Sequence, residues 1–151
     1  SQSPQVYKQM MIAAGFNKVY EIGEVFRAEK SHTTRHLTEF TGIDMEMGYI
    51  NDENDVMDVL EKYILYVLDY IKQNCKQELE ILKVNIEVPE KIPRITMKDA
   101  KELLKEKGKN IPENEDLDSE GEKLFGEIIK KKIKLKFVFL KKISIKKKTF
   151  L

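Results

Sequence analysis

The fold is decided by Phe26-Arg27-Ala28-Glu29 and, beyond a polar loop, by Arg35-His36-Leu37-Thr38-Glu39-Phe40. The first stretch ends an apolar strand with an arginine and a glutamate. Residues 30–36 are rich in hydroxyls and cations and predict a loop, and residues 37–50 alternate in the manner of a returning strand. We therefore expect an antiparallel hairpin in which strand 25–29 pairs with strand 37–50.

Alternation along the second strand sorts its side chains onto two faces. The apolar face is predicted to be core and carries Thr41, Ile43, Met45, Met47 and Tyr49. The other face carries Phe40, Gly42, Asp44, Glu46 and Gly48. Alternate residues of a strand lie about 7 Å apart, so an aromatic ring and two carboxylates form one row on this second face.

Length and composition restrict the class of protein. The 151 residues are 41% hydrophobic and 35% charged, which suits one globular domain with a real core. The net charge of +1 does not by itself predict a nucleic-acid partner, although residues 130–148 are dense in lysine and contain no acid. No apolar run reaches the roughly 18–20 residues of a membrane span, and no signal peptide is evident. The single cysteine, Cys75, excludes an intrachain disulfide, and we expect a cytoplasmic protein.

The remaining segments predict helices around a small sheet, that is, an α/β (α+β) fold with a mainly antiparallel sheet flanked by helices. Helices are predicted from Pro4 to Ala14 with Ser3 as cap, from Asn51 to about Leu82, from the Thr96 capping box to Gly108, and from Ser119 onward. Strands are predicted at 19–22, 25–29, 37–50, 94–96 and 133–140.

Arg27 and Glu29 project from the same face of their strand. An arginine fork binds phosphate or carboxylate through two parallel hydrogen bonds, and the neighbouring glutamate suits a donor on a base or ribose. From these two residues alone, a surface ion pair on an edge strand is the commoner interpretation. The loop adds weight to binding, because its cations and hydroxyls, among them Arg35 and His36, are what a polyphosphate requires. With no cysteine near His32 and His36, we expect no metal site there.

Phe40 and the acidic row admit two interpretations each. Phe40 is either a stacking platform for a base or a core residue of a sheet covered on both sides. Asp44 and Glu46 are compatible with a glycosidase-type pair, which needs carboxylates about 5–9.5 Å apart. The cationic loop favours charge binding instead.

Gln5 and Lys8 lie three residues apart and share a helix face. An amide and an ammonium near a helix start hold a carboxylate well, although an ordinary exposed helix face explains the same spacing. The lysine-rich C-terminal segment is either an RNA-phosphate contact or a solvated strand.

Together these motifs resemble the class II aminoacyl-tRNA synthetases, and among them the aspartyl-tRNA synthetases of the archaeal–eukaryotic type. Gln2-Ser3-Pro4-Gln5-Val6-Tyr7-Lys8 resembles that family's aspartate-binding segment, and residues 19–50 resemble its motif 2. Residues 52–132 resemble the family's helical insertion region more loosely. The resemblance implies that the chain is part of a catalytic domain, with motif 1 and the anticodon-binding domain before Ser1 and motif 3 and the acidic magnesium ligands after Leu151.

The resemblance also implies roles for individual residues. It assigns aspartate binding to Ser3, Gln5, Lys8, Arg27 and Asp44, with Asp44 at the substrate ammonium. It assigns ATP binding to Arg27, Glu29, Arg35, His36, Leu37 and Phe40, with Phe40 stacked on adenine. Arg27, which would bridge the α-phosphate and the substrate α-carboxylate, is the implied catalytic residue.

The implied reaction is the formation of aspartyl-adenylate from L-aspartate and ATP with Mg²⁺, followed by transfer to tRNA(Asp) by a homodimer when full length. Lys8 favours aspartate over asparagine as the substrate, since a cation left opposite a neutral amide is poorly paired. We expect little or no aminoacylation from this chain alone. Two alternatives stay open: a relative that ligates aspartate to ammonia, and a non-catalytic fragment that binds RNA or protein.

Overall fold

Nine helices and strands follow one another in the computed structural model, which describes residues 4–28, 37–133 and 137–141, without the side chains of 132 and 133. The helices are α1 Gln5–Ala13, α2 Glu53–Asn74, α3 Lys76–Leu82, α4 Met97–Lys105 and α5 Ser119–Ile133. The strands are β1 Lys18–Phe26, β2 Glu39–Met47, β3 Arg94–Thr96 and β4 Phe139–Lys141. The chain divides into two units, Ser1–Val56 and Met57–Leu151.

The hairpin of the first unit is formed by β1 and β2, which pair antiparallel over nine residues with Gly23 opposite Gly42. This confirms the predicted hairpin. The two short strands predicted at 19–22 and 25–29 are wrong as separate elements, because β1 is continuous and Gly23 stays within the ladder. Beyond β1, the Arg27 N–H donates to the Thr38 carbonyl at 2.8 Å, so pairing extends past the strand end.

The hairpin face predicted to be core is exposed. Tyr20 is 77% exposed, Ile22 61% and Ile43 60%. The opposite face is the more buried one, because α1 packs across it and Val25 lies at 8% exposure. Alternation thus identifies an apolar face without showing which polypeptide covers it.

Helix α1 begins after Pro4 and is followed by Gly15, whose φ of +103° is accessible chiefly to glycine. The predicted cap Ser3 lies outside the described residues. The helix is close to the hairpin at Gly48, where a Cβ atom would lie 2.9 Å from Cγ2 of Ile12. α1 is therefore seated directly on the strands that carry the acidic row.

The second unit has its core between α4 and α5, formed by Ala100, Leu104, Phe125, Ile128 and Ile129. The predicted capping box is confirmed, since the Asp99 N–H donates to Thr96 Oγ1 at 3.1 Å. At the start of α5 the cap is Asp118, which accepts from the Gly121 N–H at 2.7 Å. A buried carboxylate, Glu61 of α2, accepts from the Ile92 N–H and pairs with Arg94 at 3.3 Å, which ties α2 to the segment before β3.

Two boundaries of the second unit differ from the predictions. The single helix predicted to Leu82 is interrupted at Cys75, whose φ of −115° and ψ of 43° are not helical. Of the strand predicted at 133–140, residue 133 belongs to α5, residues 134–136 lie outside the described residues, and β4 begins at Phe139. β4 pairs parallel with β3 over three residues, so the antiparallel pairing predominates, as predicted. Among the described residues, no helix is long and apolar enough to cross a membrane.

Candidate nucleotide and amino-acid site

The more buried face of the hairpin carries a row of chemically distinct groups. Because side chains alternate along a strand, the residues of β1 and β2 with the parity of Val25 and Phe40 share this face. Arg27 and Phe40 lie at one end, the Gly23–Gly42 pair in the middle, and the acidic residues at the other end. Phe40 and Asp44 are four residues apart on β2, about 13 Å at the usual rise of a strand.

At the first end, the guanidinium of Arg27 lies over the ring of Phe40, with Cζ 5.5 Å from the ring centroid. This is within the range of a cation–π contact. Phe40 is half-buried and pairs across the hairpin with the buried Val25. The site therefore offers a cation and an aromatic ring side by side.

In the middle of the face, Gly23 and Gly42 lie opposite each other, so no side chain covers the backbone there. A Cβ atom at Gly42 would lie 2.9 Å from Cγ2 of Val25, so a side chain is excluded there, whereas one at Gly23 would meet only Oε1 of Glu21 at 3.7 Å. A cavity of about 20 Å³ opens over this part of the face, lined in part by Pro4 and Asp44. The two glycines keep side chains out of the space between the aromatic and the acidic end.

The acidic end is closed by Lys8, which reaches down from α1 and is only 5% exposed. Its ammonium forms an ion pair with Asp44 and lies 3.6 Å from Oε2 of Glu46. The side-chain amide of Gln5 donates to the same Glu46 oxygen at 3.5 Å. Glu46 thus contacts both α1 residues that the sequence predicted for carboxylate binding.

The hydrogen bond to Asp44 raises the pKa of the Lys8 ammonium above its ordinary value, and this effect outweighs the burial that acts in the opposite direction. Lys8 is therefore a cation at neutral pH. A lysine has three donors, so its pairing with Asp44 leaves donors for a ligand carboxylate. The two strand carboxylates in turn provide acceptors for a ligand ammonium.

The structure brings five of the predicted site residues onto this face: Gln5, Lys8, Arg27, Phe40 and Asp44. Leu37, at 58% exposure, lies two residues before β2. Ser3, Glu29, Arg35 and His36 lie outside the described residues. No group of three or more metal-binding side chains occurs within 4–28, 37–133 and 137–141.

Two acidic residues at this end, Glu21 and Glu46, are not among the residues predicted to bind aspartate or ATP. Glu46 was recognisable, because alternation placed it in the row with Asp44. Glu21 was not recognisable from the sequence. Only the strand register shows that it lies directly opposite Asp44 and on the same face. Three carboxylates therefore lie at this end of the face, and two of them, those of Asp44 and Glu46, contact the Lys8 ammonium.

The family described as tRNA synthetases class II (D, K and N) matches residues 1–151. An aspartate–tRNA(Asp) ligase of Pyrococcus abyssi is 54% identical over 127 residues, which are 83% of this chain and 29% of that protein. The chain thus spans about a third or less of the length of this relative.

Solved structures show the same similarity. An aspartyl-tRNA synthetase from Entamoeba histolytica superposes with a TM-score of 0.84 at 39% identity, covering 93% of this chain and 30% of that one. An asparaginyl-tRNA synthetase from Pyrococcus horikoshii, solved with asparaginyl-adenylate, gives a TM-score of 0.73 at 34% identity, covering 85% and 30%. The shared part is therefore a minor part of each longer protein.

Proposed function

Since the chain belongs to the class II tRNA synthetases (D, K and N), we propose that it forms part of the active site of an aspartate–tRNA ligase. The reaction is ATP-dependent activation of L-aspartate to aspartyl-adenylate, followed by transfer to tRNA(Asp). One observation carries the proposal: Arg27, Phe40 and Asp44 lie along one face of a single hairpin, and Lys8 of α1 contacts Asp44 at the acidic end of that face.

The acidic end of the face binds the amino acid. Lys8 and Gln5 hold the side-chain carboxylate of aspartate, with Ser3 beside them, and Asp44 accepts from the substrate ammonium. Supporting this, Lys8 is buried and held by Asp44 and Glu46, so its ammonium does not have to be ordered when the substrate binds. If asparagine bound instead of aspartate, its neutral amide would leave the buried Lys8 cation without a charged partner, which weakens binding.

The aromatic end binds ATP. Phe40 stacks on adenine with Leu37 nearby, and Arg27 bridges the α-phosphate and the α-carboxylate of aspartate. Glu29 at the adenine, and Arg35 and His36 at the outer phosphates, are assigned from the family resemblance. Gly23 and Gly42 keep side chains out of the part of the face between the two ends.

The substrate α-carboxylate attacks the α-phosphorus of ATP in line, and pyrophosphate leaves. The protein supplies no nucleophile. Arg27 stabilises the charge that develops on the phosphate, and the two-ended face orients the reactants. Mg²⁺ supplies further neutralisation of the phosphates in this class of reaction. The part of the chain that the structure describes contains no group of three or more His, Cys, Asp or Glu side chains that could hold the ion.

The proposed partners are tRNA(Asp) and a second copy of the complete protein. The tRNA partner is supported by the names of the relatives, which are ligases acting on tRNA, and by the family match; the second copy is carried over from the family resemblance alone. Cytoplasmic localisation is likewise a proposal.

The test is a chimera in which this chain replaces the matching 29% of the Pyrococcus abyssi ligase. We expect aspartate-dependent ATP–pyrophosphate exchange and transfer to tRNA(Asp). The same chimera with Lys8→Met is expected to lose most of the exchange, whereas Lys18→Met, on the other hairpin face, retains it. A folded chimera without exchange, or one that uses ammonia in place of tRNA, contradicts the proposal.

A further inference from the structure

Glu21 of β1 and Asp44 of β2 lie directly opposite each other in the hairpin, with both side chains on the face that carries the candidate site. We propose that Glu21 is a further residue of the amino-acid site. Together with Asp44 it accepts hydrogen bonds from the α-ammonium group of the substrate, and it thereby makes the site select an α-amino acid over a 2-hydroxy acid of the same shape. The inference rests on the proposed function, to which it adds a second acceptor for the ammonium.

A small cavity lies beside these two residues. It has a volume of about 20 Å³ and is lined by both Glu21 and Asp44, and by Pro4. The carboxylate of Glu21 reaches toward Gly23, where its Oε1 atom lies 3.7 Å from the position that a Cβ atom would take. One water molecule needs about 10–15 Å³ of such space, and an ammonium group is of similar size. The cavity therefore has room for one ammonium group between residues that carry acceptors for it.

The balance of charge at this end of the face favours the same ligand group. The described residues here comprise three carboxylates, those of Glu21, Asp44 and Glu46, and one ammonium, that of Lys8. Lys8 contacts the two carboxylates on β2. Like charges directly opposite each other on paired strands repel, as those of Glu21 and Asp44 do. A cation that the ligand places between them relieves this repulsion.

An ammonium group and a hydroxyl group differ here in charge and in the number of donors. The ammonium has three N–H donors, so it donates to Glu21 and Asp44 at the same time, and a carboxylate has enough acceptor sites for Asp44 to serve both the ligand and Lys8. A hydroxyl has one donor, so it leaves one of the two carboxylates without a partner. L-aspartate and L-malate carry the same two carboxylates and differ only in this group. Comparing them therefore separates the role of Glu21 from that of Lys8.

The experiment measures the affinity of the 151-residue chain for L-aspartate and for L-malate by NMR titration, in the wild type and in Glu21→Gln. This substitution keeps the shape of the side chain and removes its charge. We expect it to weaken aspartate binding about tenfold, because a charged hydrogen bond is lost. Malate binding is expected to stay the same or to tighten about twofold, because one of the facing charges is removed. The preference for aspartate over malate should thus fall by about tenfold or more.

The matched control is Glu39→Gln, which removes the same charge from the other face of the hairpin and is expected to change neither affinity. The free energy of unfolding is a second readout. It should not fall in Glu21→Gln, because the substitution relieves a repulsion, whereas the loss of a structural contact lowers it.

A third variant, Lys8→Met, separates the inference from the function on which it rests. If Glu21→Gln weakens both ligands equally, or leaves aspartate binding unchanged, while Lys8→Met loses aspartate binding, the inference is wrong and the proposed function stands. If the wild-type chain binds no aspartate, or Lys8→Met binds it as tightly as the wild type, the proposed function fails for this chain and the inference fails with it.

Discussion

Lys8 of α1 and Asp44 of β2 form an ion pair across 36 residues of sequence, in a chain segment where the ammonium is almost completely buried. This contact fixes the helix on the hairpin and closes the acidic end of the candidate site. The same residue thus contributes to the stability of the first unit and to the recognition proposed for it.

Replacing Lys8 with methionine keeps an unbranched side chain, one atom shorter, and removes the charge. Asp44 and Glu46 are then left without their cation, and we expect the free energy of unfolding to fall. Their side chains are 39% and 29% exposed, so water replaces part of the lost interaction and the expected fall is about 1–2 kcal/mol. Urea unfolding followed by circular dichroism measures it.

The matched control is Lys18→Met, which removes a lysine that is exposed on the other face of β1. It is expected to change the unfolding free energy by less than about 0.5 kcal/mol. Equal effects of the two substitutions are incompatible with a structural role for the Lys8 pair.

The Lys8 pair also predicts how stability depends on pH in the alkaline range. Its pKa is raised in the folded state from the ordinary value of 10.5, chiefly by the hydrogen bond to Asp44. A raised pKa means that the folded state holds the proton more tightly, so this stabilisation is complete below pH 10.5 and is lost as pH rises through the higher folded value. Unfolding measured between pH 9 and about 12 is expected to show this loss. Lys8→Met should show a shallower decline, and an unchanged decline contradicts the assignment.

The sequence was sufficient to predict the hairpin, because both of its signals are local. Alternation over 37–50 and the polar loop before it fix the strand and the reversal, and the capping residues Thr96 and Asp99 fix a helix start in the same way. The composition of each hairpin face was also predictable. Which face is buried was not, since that depends on where α1 packs.

The errors arise where tertiary contacts or subtle backbone changes override local pattern. No glycine or proline marks Cys75, so the break between α2 and α3 had no sequence signal. The strand was predicted to begin at Ile133, yet α5 continues to that residue, with Ile128 and Ile129 buried in the core. In the site, Glu21 was missed because its partner on β2 is known only once the register is known.

The Gly23–Gly42 pair provides a test of the hairpin geometry. Gly42→Ala places a methyl group 2.9 Å from Cγ2 of Val25, a buried, β-branched residue with little freedom to move. We expect a loss of about 1–3 kcal/mol of unfolding free energy from this overpacking, measured by thermal or urea unfolding. Gly23→Ala, whose methyl group meets only a flexible carboxylate at 3.7 Å, is the matched control and is expected to cost less. If Gly23→Ala is the more damaging of the two, the described packing of Val25 over Gly42 is wrong.

The buried carboxylate of Glu61 gives the corresponding prediction for the second unit. It accepts from the N–H of Ile92, which is 1% exposed, and also pairs with Arg94. Glu61→Ala leaves a buried N–H without its acceptor, and an unsatisfied group of this kind costs about 1–3 kcal/mol. Asp58→Ala, which removes the more exposed carboxylate that pairs with the same arginine, is the control and is expected to have a smaller effect. Hydrogen exchange of the Ile92 amide separates loss of this hydrogen bond from loss of the ion pair with Arg94. The amide should exchange faster in Glu61→Ala and at the wild-type rate in Asp58→Ala. Protection retained in Glu61→Ala shows that another group accepts this hydrogen bond.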